Sequence, residues 1–247
     1  MNNEMEKNER YFAFLSFLCF FGWLLLGSVC FIIPLYVIGP KVSGLPLIDY
    51  LSNMELVTEH TYVPAAIASL MGIIVFAVLY RKTIIEDSKY VKNNWLKVLI
   101  VIVVGFIVLL AANYVMAIIY EALGFGEDDT SQNQQGIIDA LSGYTKHYVM
   151  FYTIILAPIF EEIIFRKLFY NFLKKTFKLP VWLIVIILSI VFAAIHVTDV
   201  ESFVYFPQYF VLSLIITLSY AITKENIFAS FGLHFLNNLL AMLEILL

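Results

Sequence analysis

Two adjacent glutamates, Glu161 and Glu162, and an arginine four residues further on, Arg166, stand in the stretch "PIFEEIIFRKLF" from Pro158 to Phe169. Apart from these residues and Lys167, the stretch is apolar. Two histidines and an asparagine occupy later apolar stretches: His196 in "FAAIHV", and His234 with Asn238 in "FGLHFLNN". No serine or cysteine nucleophile stands beside a base. A carboxylate and a histidine can instead hold and deprotonate a water. A second histidine with an asparagine can donate hydrogen bonds to a developing oxyanion. An arginine can orient the remaining carboxylate. Together these groups suffice to hydrolyse an amide with activated water.

The setting makes these charges expensive. A charged side chain near a bilayer centre costs about 2.5–3.5 kcal/mol on insertion scales, so Glu161, Glu162 and Arg166 must face protein or water. Glu162 and Arg166 share one helix face in the favourable order, acid before base. Glu161 points about 100° away from Glu162 on a regular helix. One carboxylate is therefore free to hold the arginine while the other faces something else. Pro158 adds a local distortion, since a proline frees the carbonyl four residues back, here that of Ile154. Lys167, nearer the inner end, is expected to snorkel. Two plainer readings compete with a catalytic one. The charges could form a routine ion pair at the membrane surface, but "LFYNFL" (Leu168–Leu173) continues mostly apolar before the basic cluster begins at Lys174. Alternatively, Glu162 and Arg166 form a structural clasp between helices.

His60 and His147 belong in or beside outer loops. His196 and His234 lie within apolar segments, where a lone histidine is often an interior hydrogen-bonding residue. Depth speaks for a common site. Glu162 lies about 18 Å along its helix from Lys174, and His196 about 24 Å from Pro180. His234 and Asn238, which share a face, lie about 12 and 18 Å from Asn226. Helix tilt absorbs such differences, so three helices bring polar groups to a similar middle depth, as one polar chamber would require.

Composition sets the frame for those helices. The 247-residue chain is 62% hydrophobic and 14% charged, with a mean hydropathy of +0.89. Soluble domains are nearer 45–50% apolar and about 25% charged. The expected fold is an all-α polytopic membrane protein, a bundle of about seven transmembrane helices. The segments run roughly 11–38, 62–80, 95–120, 147–173, 180–198, 202–222 and 226–246. The first is too long for a cleavable signal and reads as a retained helix. Cys19 and Cys30, both within it, are too far apart along a helix to pair. A formal charge of −4 suggests no nucleic-acid partner. The polar stretch from Gly126 to Gly143 falls outside the membrane; "GIIDAL" within it suits a short interfacial helix, in a solvated loop or in a lid over a cavity. By organisation, residues 1–120 hold N-terminal helices without recognisable motifs, 121–146 an outer loop, and 147–247 the expected core, which carries all the candidate residues.

The motifs, taken in order on successive segments, resemble those of the CPBP family: CAAX prenyl endopeptidases and related bacteriocin-processing or immunity proteins, also called the ABI family. "EEIIFR" (Glu161–Arg166) fits EExxxR, "FAAIH" (Phe192–His196) fits FxxxH, and "HFLNN" (His234–Asn238) fits HxxxN. The resemblance covers roughly Tyr144 to Leu246. It implies intramembrane peptidase activity, with Glu161 as general base and His196 its partner in holding water. His234 and Asn238 would form the oxyanion site, with Glu162 and Arg166 supporting. No HExxH signature for zinc is present, and the metal-free reading is preferred; if a divalent metal such as zinc is used, Glu161, His196 and His234 are its ligands. Where the family often carries a Thr-Gly-Ser-like loop, this chain has "TKEN" (Thr223–Asn226). Size and short inner loops resemble the bacterial branch. The implied partners are the lipid bilayer and a peptide or small membrane-associated protein as substrate, and the implied location is a bacterial plasma membrane.

Other classes remain open at this point. A non-enzymatic binder, such as a bacteriocin-immunity protein, would not need Glu161, His196 and Asn238 together. A proton-coupled transporter would need more polar residues along a path. Bis-histidine haem ligation by His196 and His234 would colour the protein. Topology is testable directly. With the N-terminus in the cytoplasm, 13 of the 15 lysines and arginines fall on the inner side, leaving Lys41 and Lys146 outside, as the positive-inside rule requires. Reporter fusions are expected to place Lys89 and Lys174 inside and Asn133 outside; Asn133 on the same side as Lys174 would rule out seven spans.

Overall fold

A computed structural model describes residues 7–18, 21–22, 37, 39–125, 130–141, 146–197 and 200–247. Among the described residues the chain is helical, with no strand. A helical stretch over 7–18 and two short helices, Gly39–Ser43 and Leu47–Ser52, come first. The main elements are α1 (Met54–Leu79), α2 (Arg81–Asn93), α3 (Trp95–Ala122), α4 (Gln132–Leu141), α5 (Lys146–Thr176), α6 (Val181–His196), α7 (Phe206–Ile222, entered through a 3₁₀ turn at Glu201–Tyr205) and α8 (Ile227–Leu246).

Four of these are long and apolar enough to cross a bilayer: α3, α5, α7 with its 3₁₀ turn, and α8. α1 and α2 add a fifth only if counted as one broken span, because Ala65–Leu79 and Arg81–Asn93 meet at 84°. Among the described residues, four or five helices thus meet this test, against the seven spans expected. The segment expected over 62–80 turns sharply at Tyr80, where α2 brings in Arg81, Lys82, Lys89 and Lys92. The segment expected over 180–198 is the 16-residue α6, about 24 Å long, short of the ~30 Å hydrocarbon core. Most of the segment expected over 11–38, including Cys19 and Cys30, lies outside the described residues.

α5 is the most buried of the four long helices and α3 the least. Ile164, Phe165, Tyr170 and Leu173 of α5 pack with Ile184, Leu188 and Phe192 of α6 and Tyr220 of α7. Leu109 of α3, Ile216 of α7 and Leu233 of α8 form a second cluster. The other side of α3, with Leu99, Ile100, Val103, Val104 and Ile107 exposed, suits contact with lipid tails. α3 and α8 approach closely because each is glycine at the crossing. A Cβ on Gly105 would lie 2.9 Å from Leu233 Cδ2, and one on Gly232 would lie 2.8 Å from Ile102 Cδ1. Small residues permit such close approach where no hydrophobic force drives helices together.

The chain enters α8 through a polar knot. α7 ends at Ile222, and Lys224 and Glu225 both take left-handed backbone (φ 57° and 62°). This conformation disfavours side-chain-bearing residues. The Glu225 N–H donates back to the Tyr220 carbonyl at 2.8 Å. Asp87 on α2 then accepts from the Ile227 N–H at 3.1 Å and pairs with Lys167 at 2.6 Å. Asn226 Nδ2 donates to the Asp87 carbonyl, and Lys167 Nζ to that of Glu225. Lys167 is therefore buried and does not snorkel. Its reach is used up by a counterion on a helix distant in sequence.

Removing Asp87 strips Lys167 of its counterion and α8 of an N-terminal acceptor. Breaking a buried pair from one side typically costs about 3–5 kcal/mol. Asp87→Ala is expected to lower the thermal unfolding midpoint strongly in detergent, and Asp87→Ala with Lys167→Met to recover part of the loss. A single variant as stable as the wild type would show that the knot does not anchor α8.

Candidate active site

The backbone of α5 is distorted where it carries its charges. It contains two widened, π-helical stretches, Tyr152–Leu156 and Ile163–Phe169, on either side of Pro158, Glu161 and Glu162. In the first, the Ala157 N–H reaches Tyr152 O, five residues back. In that register the next donor to Thr153 O would be Pro158, which has none. The freed carbonyl is thus that of Thr153, one residue before the Ile154 expected from regular α-geometry. Asn238 of α8 fills the vacancy: its Nδ2 donates to Thr153 O at 2.9 Å. The Asn238 Oδ1 in turn accepts from Asn237 Nδ2 at 3.2 Å, so this amide is held from both ends. π-helical turns recur at functional sites, and here one creates the acceptor that locates Asn238.

Behind this wall lies the charge cluster. Glu162 and Arg166 are fully buried, with Arg166 Nη1 3.2 Å from Glu162 Oε1. His234 Nδ1 lies 2.9 Å from the same carboxylate oxygen. Arg166 Nη2 also donates to Ser213 Oγ of α7 at 3.3 Å. Its guanidinium carbon sits 5.3 Å from the centre of the Phe192 ring and 5.7 Å from that of Phe165, an arrangement in which ring faces stabilise a cation. A carboxylate only accepts, so His234 Nδ1 carries a hydrogen and Nε2 points the other way. There Nε2 meets Glu161 Oε2 at 3.7 Å. His234 therefore bridges the two adjacent glutamates.

His196 is held differently. Its Nδ1 lies 2.8 Å from Phe192 O. A carbonyl only accepts, so Nδ1 carries the hydrogen and Nε2 of the neutral ring is left as an acceptor. Phe192, one helical turn earlier, also stacks on the imidazole at 4.2 Å. The same ring meets His234 edge-on at 6.0 Å. Phe192 thus spaces both histidines and the arginine.

Glu161, His196, His234 and Asn238 all line one cavity of about 760 Å³. Glu162 and Arg166 do not line it and stand behind. The residues picked from sequence thus divide into a cavity wall and a buried support. His147 is exposed and takes no part. Sequence reasoning missed Thr153, Ser213, Tyr209 and Asp87. Only the phenylalanine of FxxxH carried a signal, as part of a motif to which no role was given. Among the described residues no three His, Cys, Asp or Glu side chains converge as metal ligands. Glu161, His196 and His234 share the cavity without forming such a set.

Residues 144–240 match the family model described as type II CAAX prenyl endopeptidase Rce1-like. The matched segment spans nearly the region over which the three motifs suggested the CPBP resemblance, and it contains Glu161, His196, His234 and Asn238 of the cavity wall and the buried Glu162 and Arg166. It is a protease family, so the resemblance to intramembrane peptidases holds at that level. Comparison with curated proteins and with solved structures gives no match.

Arg166 is the member of the cluster whose loss is felt most in folding. Without it, Glu162 loses its arginine counter-charge in a water-poor place and keeps the hydrogen bond from His234. Arg166→Ala is expected to destabilise by about 3–5 kcal/mol and to lower the yield of folded protein. Arg166→Lys, which keeps the charge but loses the planar fork to Glu162 and Ser213, should fall between. An Arg166→Ala variant that unfolds at the wild-type temperature would remove the cluster from its supporting role.

Proposed function

We propose that the chain is an intramembrane endopeptidase. It hydrolyses a peptide bond of a membrane-associated peptide or small protein, using water activated by Glu161 and His196. The proposed setting is a multi-pass protein of a bacterial plasma membrane. The observation that carries the reading is the shared cavity wall: Glu161, His196, His234 and Asn238 face one space, while Glu162 and Arg166 lie buried behind it.

Each residue has a role that its contacts support. His196, with Nδ1–H committed to Phe192 O, offers Nε2 as an acceptor to a water. Glu161 takes that water's proton as the oxygen attacks the carbonyl carbon, and returns a proton to the leaving amine as the C–N bond breaks. His234, backed by the Glu162 carboxylate at Nδ1, donates from a protonated Nε2 to the tetrahedral oxyanion. Asn238 spends one amide hydrogen on Thr153 O and aims the other at the same oxyanion. Asn238 is thereby both a donor and a backbone cap, so its loss is felt in stability as well as rate. No step is assigned to a metal.

The test is cleavage of membrane-associated peptides by purified protein, with product ends identified by mass spectrometry. Glu161→Gln and His196→Ala are each expected to reduce kcat by about 10²–10⁴-fold, the range of general acid–base catalysis. If the two act on one water, the double variant should lose little more than either single. Chelators should leave the wild-type rate unchanged. Full activity in Glu161→Gln would remove it as base. Tight peptide binding without turnover by the wild type would favour an immunity-type binding protein.

A further inference from the structure

α4 and the residue before it form part of the cavity lining. Ser131, Asn133, Gln134 and Ile137 all line the space. This segment meets α7 at the side chain of Tyr209. Ser131 Oγ and the Tyr209 hydroxyl lie 2.7 Å apart, and Asn133 Nδ2 donates to the same hydroxyl at 3.4 Å. Ser131 is itself fixed, since its Oγ accepts from the Gln134 N–H at 3.2 Å and its side chain is buried.

The ring of Tyr209 has a second contact. It stacks on His196 at 4.9 Å and 29°, while Phe192 stacks on His196 at 4.2 Å and 24°. The imidazole is thus sandwiched between two aromatic rings, with Nδ1 tied to the backbone. One ring, Phe192, belongs to the same helix as the histidine and cannot leave it. The other belongs to α7 and is tethered by its hydroxyl to Ser131 and Asn133, which line the same cavity.

We propose that Tyr209 is a positioning residue that couples the seating of α4 to the orientation of His196. When α4 is seated, Ser131 and Asn133 hold the Tyr209 hydroxyl and the tyrosine ring clamps the imidazole. When α4 lifts to admit substrate, the tether is released and the clamp loosens, so the water-holding geometry is complete only in the covered cavity. The inference rests on the proposed role of His196.

The experiment uses the full chain in lipid nanodiscs with a peptide that the wild type cleaves. Tyr209→Leu removes the clamp and is expected to lower kcat up to about 100-fold, with KM within about twofold. Tyr209→Phe keeps the ring and loses the tether; it should restore kcat to within about fivefold of wild type, the size expected of one hydrogen bond. Ser131→Ala should match Tyr209→Phe, and their double variant should be no slower than either. Thermal unfolding of Tyr209→Phe and Ser131→Ala should stay close to that of the wild type. Wild-type kcat in Tyr209→Leu would overturn the proposal, as would additive losses in the double variant. His196→Ala separates this inference from the reading beneath it. If His196→Ala is inactive while the Tyr209 variants are normal, only the coupling falls. If His196→Ala cleaves like the wild type, the catalytic reading falls and the coupling with it.

Discussion

A carboxylate with no exposed surface, Glu162, is the constraint around which the rest of the bundle is arranged. Isolated in an apolar interior, an ionised carboxylate would give up its charge or unfold its surroundings. One of its oxygens instead serves Arg166 on its own helix and His234 on α8. The pair within α5 follows from sequence spacing alone. The contact to His234 requires two helices to lie side by side at one height. Desolvation makes a partly paired cluster much worse than a complete one, so α5, α7 (through Ser213) and α8 are committed to a single relative placement. That placement turns His234 Nε2 towards Glu161 and the cavity.

The same bundle tolerates an irregular backbone where it is useful. Pro158 removes a donor, and the widened turn before it moves the vacancy to Thr153. In hydrocarbon an unsatisfied carbonyl costs several kcal/mol, so a partner on a neighbouring helix is needed. Asn238 is that partner, and the need fixes a polar amide at the cavity wall. The irregularity and the site therefore have one cause. Phe192 acts in a complementary way: it fills the space between three polar groups and presents a ring to each of them.

A second buried charge, Lys167, shows how far local reading can mislead. Its position near the inner end of α5 suggested a side chain extended towards the surface. In the fold it is enclosed by Asp87, the Glu225 carbonyl and the ring of Tyr220, which lies 5.4 Å away. Asp87 is one of two adjacent acids on α2, and no periodicity marks it. Its importance comes from the sharp turn at Tyr80, which carries α2 across the start of α8.

The amino-acid sequence alone determined that the chain is helical and apolar, that Glu161, Glu162, Arg166, His196, His234 and Asn238 are polar residues set within apolar segments, and that Glu162 and Arg166 pair. These follow from composition, helical spacing and the cost of charge in hydrocarbon, all of which are local or additive. Hydropathy registers how apolar a segment is and not whether it bends, as at Tyr80, or ends early, as at His196. Only the tertiary structure decided that His234 joins both glutamates, that Asn238 caps Thr153, that Asp87 holds Lys167, and that Tyr209 stands between His196 and α4. Apart from the stacking of Tyr209 on His196, each of these is a contact between residues 72 or more positions apart. The direction of such a contact depends on the rotation and height of whole helices, which is set by packing summed over the bundle and leaves no periodic trace in the chain.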